Sequence, residues 1–256
     1  MTVKDKILQG RTYLGIELGS TRIKAVLIDD SFSVIASGSK QWENRFENGC
    51  WTYSLDDIHG GIQACYKDLA ENVKAQYGIY PETYGAMGIS AMMHGYMAFD
   101  KNDKLLVPFR TWRNTMTAQA AGELTKLLGF NIPQRWSIAH LYQAVLNKEA
   151  HVPYIAYINT LAGYVHKRLT DRFEVGVGEA SGIFPVEGIG YKKEYLEPTE
   201  KSLAEKGFDH KLKDILPAVR NAGEKGAVLT EEGAKFLDPE GRLKAGVPVC
   251  PPEGDA

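Results

Sequence analysis

Two alternating apolar runs, Tyr13 to Leu18 and Ile23 to Ile28, are separated by only Gly19-Ser20-Thr21-Arg22. A third run, Val34 to Gly38, follows the Asp29-Asp30-Ser31 turn. Strands joined by so few residues pair antiparallel, because a parallel pair needs a crossover of roughly a dozen residues or more. The first forty residues therefore predict a meander and rule out a chain built wholly of βαβ units.

Helical periodicity comes next. Ser54 is a cap with Asp57 three positions on, and Ile58, Ile62, Cys65, Leu69 and Val73 recur three or four apart. A strand is predicted over Tyr84–Ser90, then a turn at Asp100-Lys101-Asn102-Asp103 joining two short segments. From Thr115 the chain reads as helix: Thr117–Leu128 with a stop at Gly129, then Ser137–Asn147, Thr160–Leu169 and a weaker Tyr195–Lys206. Residues Phe173 to Gly190 read as glycine-rich and irregular, and Val247–Cys250 as a short buried strand. The pattern is that of a mixed α/β lobe.

With 44% apolar and aromatic residues, 256 residues bury a sizeable core. A net charge of −2, with both signs interspersed, excludes a dedicated nucleic-acid stripe. No apolar run approaches the roughly 20 residues of a membrane span, and MTVKDKILQG is too polar for a signal peptide. Cys50, Cys65 and Cys250 form no metal or disulfide pattern and read as core fillers in a reduced, cytoplasmic chain.

Two segments carry chemistry. In Gly15 to Lys24, a Gly-Ser-Thr turn between strands gathers backbone amides and hydroxyls as a phosphate cradle, with Gly19 allowing close approach. Lys24 projects a cation toward it, and Glu17 suits a bound Mg2+. The segment has no GxxxxGK[ST], and Gly176 to Ser181 lacks the third glycine of a dinucleotide fingerprint. Ser90 lacks the second glycine of a nucleophile elbow, which disfavours a serine hydrolase. In the second segment, Met93-His94-Gly95 follows an apolar strand, where an imidazole and a thioether wall suit a sugar. Phe109 to Asn114 adds Trp112 as an aromatic face and two guanidinium groups.

Taken together these segments resemble the FGGY family of carbohydrate kinases. The opening hairpin, Ser90 to Asp100 with its Met-His-Gly, Leu161 to Asp171, Glu179 to Phe184, Leu216 to Gly223, Gly226 to Thr230 and Gly246 to Ala256 match its motifs in order over residues 12–256. The resemblance implies the ribonuclease-H-like lobe of the actin/Hsp70/sugar-kinase superfamily, a mixed sheet with flanking helices. Residues 1–11 are then an N-terminal extension, and residues 12–256 the sugar-binding domain without its ATP-binding second lobe.

By the same resemblance, Asp255 is the general base and Met93, His94, Gly95 and Trp112 contact the sugar. Gly19, Ser20, Thr21 and Lys24 meet the phosphates of ATP, and Glu17 holds Mg2+. The implied reaction phosphorylates a ketopentose such as D-xylulose, in a cytoplasmic enzyme with no nucleic-acid or membrane partner; the full-length protein has scope to be a homodimer. Glu17 stands where the family usually has Asp, and Trp112 to Met116 lacks the family's acid after Trp-Asn. These departures leave open an actin- or Hsp70-like ATPase acting through protein partners and an inactive sugar-binding regulator.

Overall fold

The computed structural model describes residues 1–224 and 226–255, so the closing Ala256 of the C-terminal motif lies outside the described residues. Strands β1 (Thr12–Leu18), β2 (Arg22–Asp29) and β3 (Val34–Gln41) form the expected antiparallel meander, with Glu17 opposite Lys24. Alternation along β1 buries Leu14, Ile16 and Leu18 and leaves Tyr13, Gly15 and Glu17 toward the other face. Ahead of the sheet, α1 (Val3–Leu8) is capped by Thr2 and Asp5. It buries Ile7 in the core and ties Lys6 to Asp29 at 2.8 Å.

Helix α2 (Leu55–Tyr77) starts as its sequence dictates: Ser54 Oγ accepts from Asp57 N at 3.0 Å, and Asp57 Oδ2 accepts from Ser54 N at 3.1 Å. All five periodic residues are fully buried. The helix crosses β3 at Gly38, where a Cβ would lie 2.4 Å from Leu69 N and 2.5 Å from Cys65 O. It delivers β4 (Ala86–Ala91) parallel to β1.

Three short strands complete the sheet: β5 (Ala227–Val228), β6 (Pro248–Val249) and β7 (Glu253–Gly254), in the order β5-β6-β4-β1-β2-β3 with β7 also on β4. Both β6 and β7 run parallel to β4, Val249 opposite Met87 and Glu253 opposite Ser90. The end of the chain thus follows β4 to its C-terminal edge, where ligands bind in open α/β sheets.

Helices α3 (Ala118–Leu128), α4 (Ser137–Leu146), α5 (Leu161–Thr170), α6 (Val177–Ala180) and α7 (Lys193–Glu205) follow in order. One hydrophobic cluster joins the sheet to α2 and α5; a second joins α3, α4 and the Leu203–Leu216 region. The described residues thus form two hydrophobic clusters, the first of which also takes in Ile7 of α1.

Several expectations need correction. Residues 173–190 are not wholly irregular: Glu174–Gly176 pairs in parallel with Ala218–Arg220 and leads into α6. The turn after Asp100 does return antiparallel, but as two bridges, Leu105 to Phe99 and Arg110 to Tyr96, and the full strand partner of Met97–Phe99 is Tyr157–Asn159. Cys250 is not a core filler; strand alternation buries Val247 and Val249 and exposes Cys250.

Candidate functional site

Parallel pairing of β7 with β4 carries Asp255 past Ala91 to the loop that leaves β4. There the backbone N–H of Met93 donates to Asp255 Oδ1 at 3.0 Å. Gly254 makes this possible: a Cβ on it would lie 2.0 Å from Met93 Cγ and 2.8 Å from Glu179 Oε2. Asp255 lines a pocket of about 230 Å³ with Ser20, Met92, Met93, His94, Trp112 and Arg135. The structure therefore brings four predicted residues, Met93, His94, Trp112 and Asp255, to one cavity, and Ser20 of the hairpin reaches it as well.

His94 and Gly95 turn the chain sharply, with φ of +67° and +93°. At Gly95 a side chain is excluded twice over, by the left-handed backbone and by Arg110 O only 2.6 Å from a would-be Cβ. Gly95 thus shapes the loop and forms no part of the pocket wall. The loop is fastened to the next element by Gly95 N to Arg135 O at 3.1 Å and Ser137 Oγ to Gly95 O at 2.6 Å. Burial, and then the positive charge of Arg135, lower the His94 pKa below its ordinary value and favour the neutral ring. Its Nδ1 is buried without a partner.

The hairpin differs in detail from an open cradle of amides. Gly19 N donates to Arg22 O at 3.1 Å to close the turn, and Gly19 O accepts from Trp42 Nε1 at 2.7 Å. Thr21 is exposed and lies outside the pocket. Lys24 Nζ sits 3.7 Å from Glu17 Oε2. Both border a groove of about 610 Å³ on the open face of the sheet, together with Ser90 and Glu253. Register aligns the four across adjacent strands as Lys24, Glu17, Ser90 and Glu253. Among the described residues no group of three or more His, Cys, Asp or Glu side chains is placed to hold a metal ion. Mg2+ bound through nucleotide phosphates needs only one or two protein carboxylates, and half-exposed Glu17 fits that need.

Two further acids, Glu253 and Glu179, lie near Asp255, although the motifs that contain them gave neither a role. The Glu253 carboxylate occupies the space over two glycines: a Cβ would come within 2.0 Å of it at Gly176 and 2.7 Å at Gly178. Glu253 Oε2 accepts from Glu179 N at 3.1 Å. The glycine cluster at 176–178 therefore makes room for a side chain rather than for a dinucleotide. Glu179 is 0% exposed, with neither carboxyl oxygen hydrogen-bonded. Burial above all, with Glu253 and Asp255 nearby, pushes its pKa up to about 8.

The guanidinium groups expected near Trp112 are engaged elsewhere. Arg110 pairs with Glu149, and Arg113 lies 3.8 Å above the Trp51 ring. Asn114 bonds the Trp51 backbone through N–H to O at 2.8 Å. Arg135 takes their place in the pocket. It lies in the loop between Gly129 and α4, where no spacing marks it.

A model of the N-terminal domain of the FGGY family of carbohydrate kinases matches residues 12–256. A xylulose kinase of Lactococcus lactis is 23% identical over 124 residues, covering 45% of this chain and 23% of that protein. Among solved structures, a xylulose kinase from Brucella ovis aligns with a TM-score of 0.76 at 22% identity, covering 95% of this chain and 49% of its own. A gluconate kinase from Lactobacillus acidophilus gives 0.75 at 19% identity, over 95% and 48%. The fold is that of these solved sugar kinases, and the chain spans about half their length.

Proposed function

Since the chain belongs to the FGGY family of carbohydrate kinases, matching its N-terminal domain, we propose that the protein phosphorylates a hydroxyl of a small sugar, with Asp255 as proton acceptor. The observation that carries this reading is the Met93–Asp255 hydrogen bond of 3.0 Å, which fixes a carboxylate inside a pocket of about 230 Å³. That volume falls below the ~300–1,000 Å³ of drug-sized ligand sites and suits a monosaccharide.

Each side chain then has a part in binding or proton transfer. Trp112, 41% exposed, offers its ring to the sugar's apolar face, and neutral His94 exchanges hydrogen bonds with a hydroxyl. Met93 supplies an apolar wall, and Gly95 sets the turn that presents both. Asp255 accepts the proton of the attacking hydroxyl as its oxygen bonds to phosphorus and the bridging P–O bond breaks, releasing ADP. Bound ATP and Mg2+ supply the phosphoryl group and part of the charge neutralisation. Ser20, Thr21 and Lys24 meet the phosphates, Gly19 keeps the turn close to them, and Glu17 holds the cation.

As substrate a ketopentose such as D-xylulose comes first, followed by another ketose or a polyol. Residues 1–256 alone should bind sugar weakly or not at all and show no turnover, because closure of two lobes over the ligands is what excludes water and holds adenine. The test measures ADP release by the full-length protein across ketoses, polyols and sugar acids. Release that rises with one sugar class supports the reading. Release indifferent to every sugar would point to an actin-like ATPase, and sugar binding without release to a regulator.

A further inference from the structure

The segment 176–182 touches both arms of the cavity. A Cβ on Gly176 would lie 2.0 Å from the Glu253 carboxylate of β7. One on Gly182 would lie 2.5 Å from His94 Nδ1 and 3.2 Å from Met93 Cε. Between these contacts stands Glu179, whose backbone N–H donates to Glu253 Oε2 at 3.1 Å. Its carboxyl lies against the residue that leads to Asp255, with Oε2 only 2.8 Å from where a side chain on Gly254 would begin. One short segment thus braces the end of β7 against the loop that carries Met93 and His94, with a buried carboxyl at its centre.

We propose that Glu179, as a neutral acid, is a positioning residue that keeps Asp255 seated on the Met93 amide, and that its ionisation unseats Asp255 and stops phosphoryl transfer. The assignment rests on the kinase reading above and deepens it. The surroundings favour an uncharged carboxyl. Both oxygens are buried without a hydrogen-bond partner, so a charge there would lack the compensation that water or donors supply. Glu253 and Asp255 oppose its ionisation from β7. Tyr191, from the hairpin at 186–191, has a buried hydroxyl without a partner and brings no positive charge. Of the groups facing Glu179, only the Thr160 hydroxyl at the start of α5 favours the charged form. Arg220, on the strand beside α6, pairs with Glu174 at 3.0 Å. His94, across Gly182, favours its own neutral ring.

An ionised Glu179 is relieved by moving away from two like charges, and that motion takes the segment 176–182 off the end of β7. The brace is then lost, and the Met93–Asp255 bond of 3.0 Å no longer holds the proton acceptor at the reacting hydroxyl. Misplacing a reacting group by about 1 Å costs on the order of 10²-fold in rate. Glu179 touches neither sugar nor phosphate in this scheme; it acts through Asp255.

The pH profile separates this role from a merely structural one. In the full-length protein, kcat for sugar-dependent ADP release should fall about tenfold between pH 7 and pH 9, as a group with a pKa of about 8 loses its proton. Glu179→Gln keeps the shape without the ionisation, and Glu179→Met has a similar length and needs no polar partner. In each variant the ratio of kcat at pH 9 to kcat at pH 7 should stay within about twofold of one. The same alkaline fall in the variants, or a flat wild-type profile, would overturn the inference. Hydrogen exchange at the Met93 amide, corrected for the intrinsic rate at each pH, reads the seating of Asp255 without turnover. Protection should drop between pH 7 and pH 9 in the wild type and persist in both variants. Protection lost alike in all three proteins, or in none, would overturn the inference. If no sugar stimulates ADP release at either pH, the kinase reading fails, and the exchange measurement still decides whether Glu179 seats Asp255.

Discussion

The backbone amide of Met93 holds Asp255 Oδ1 at 3.0 Å, so the loop leaving β4 positions a carboxylate contributed from the other end of the sequence. The bond forms only because Gly254 has no side chain to keep the two segments apart. The placement of Asp255 thus depends on one missing methyl group and one strand register, Gly254 opposite Ala91.

Gly254→Ala would place a methyl 2.0 Å from Met93 Cγ and 2.8 Å from Glu179 Oε2. Stability should fall by about 1–3 kcal/mol from overpacking, and sugar-dependent turnover should fall further as Asp255 moves. Thermal denaturation and ADP release measure the two effects. Wild-type values in both would contradict the packing described.

Gly38 poses a similar constraint under α2, with Leu69 N and Cys65 O at 2.4 and 2.5 Å from a Cβ. Both are backbone atoms and cannot swing aside, so Gly38→Ala should cost about 3 kcal/mol or more. Gly15→Ala on the open face of the same meander meets nothing within 4 Å and should change stability by less than about 0.5 kcal/mol. Denaturant midpoints of the two variants should separate clearly; equal midpoints would show that the helix does not rest on β3.

Glu179 has a folded-state pKa raised from 4.5 to about 8 by burial. The folded chain keeps a proton that the unfolded chain releases, so this group lowers stability as pH climbs from about 4.5 to 8, with no further change above that. Glu179→Gln should abolish that slope. The variant should match the wild type near pH 4 and exceed it at pH 8 by on the order of a few kcal/mol. Parallel stability curves for both proteins would refute a neutral carboxyl at this position.

His140 shows the opposite linkage. Burial, then Arg110, push its pKa down from 6.5 to about 3, and neither ring nitrogen has a partner. The unfolded chain takes up a proton below pH 6.5 that the folded chain refuses, so stability declines as pH falls from 6.5 toward 3. His140→Phe keeps the aromatic contact with Tyr96 and removes the titration. Urea titrations should show its advantage growing between pH 7 and pH 5, and a constant difference would contradict the assignment.

What could be read from sequence was local. The alternation of β1, the Ser54–Asp57 cap and the Gly129 stop depend on residues within a few positions of each other, and each appears in the structure. Met93, His94, Trp112 and Asp255 converge in the structure, although only the family resemblance gave reason to connect them. Arg135, by contrast, has no periodic or motif context, and the fit of Glu253 over Gly176 and Gly178 depends on segments far apart in sequence. The second core was hidden because α3 and α4 have ordinary amphipathic patterns that do not say which cluster they join.

Replacing Asp255 with Asn in the full-length protein tests the central claim most directly. Asn keeps an Oδ1 acceptor for the Met93 amide but takes up no proton at neutral pH. Sugar-dependent ADP release should fall by roughly 10²–10⁴-fold in kcat, with sugar binding changed by only about threefold. An Asp255→Asn protein with wild-type kcat would contradict the account.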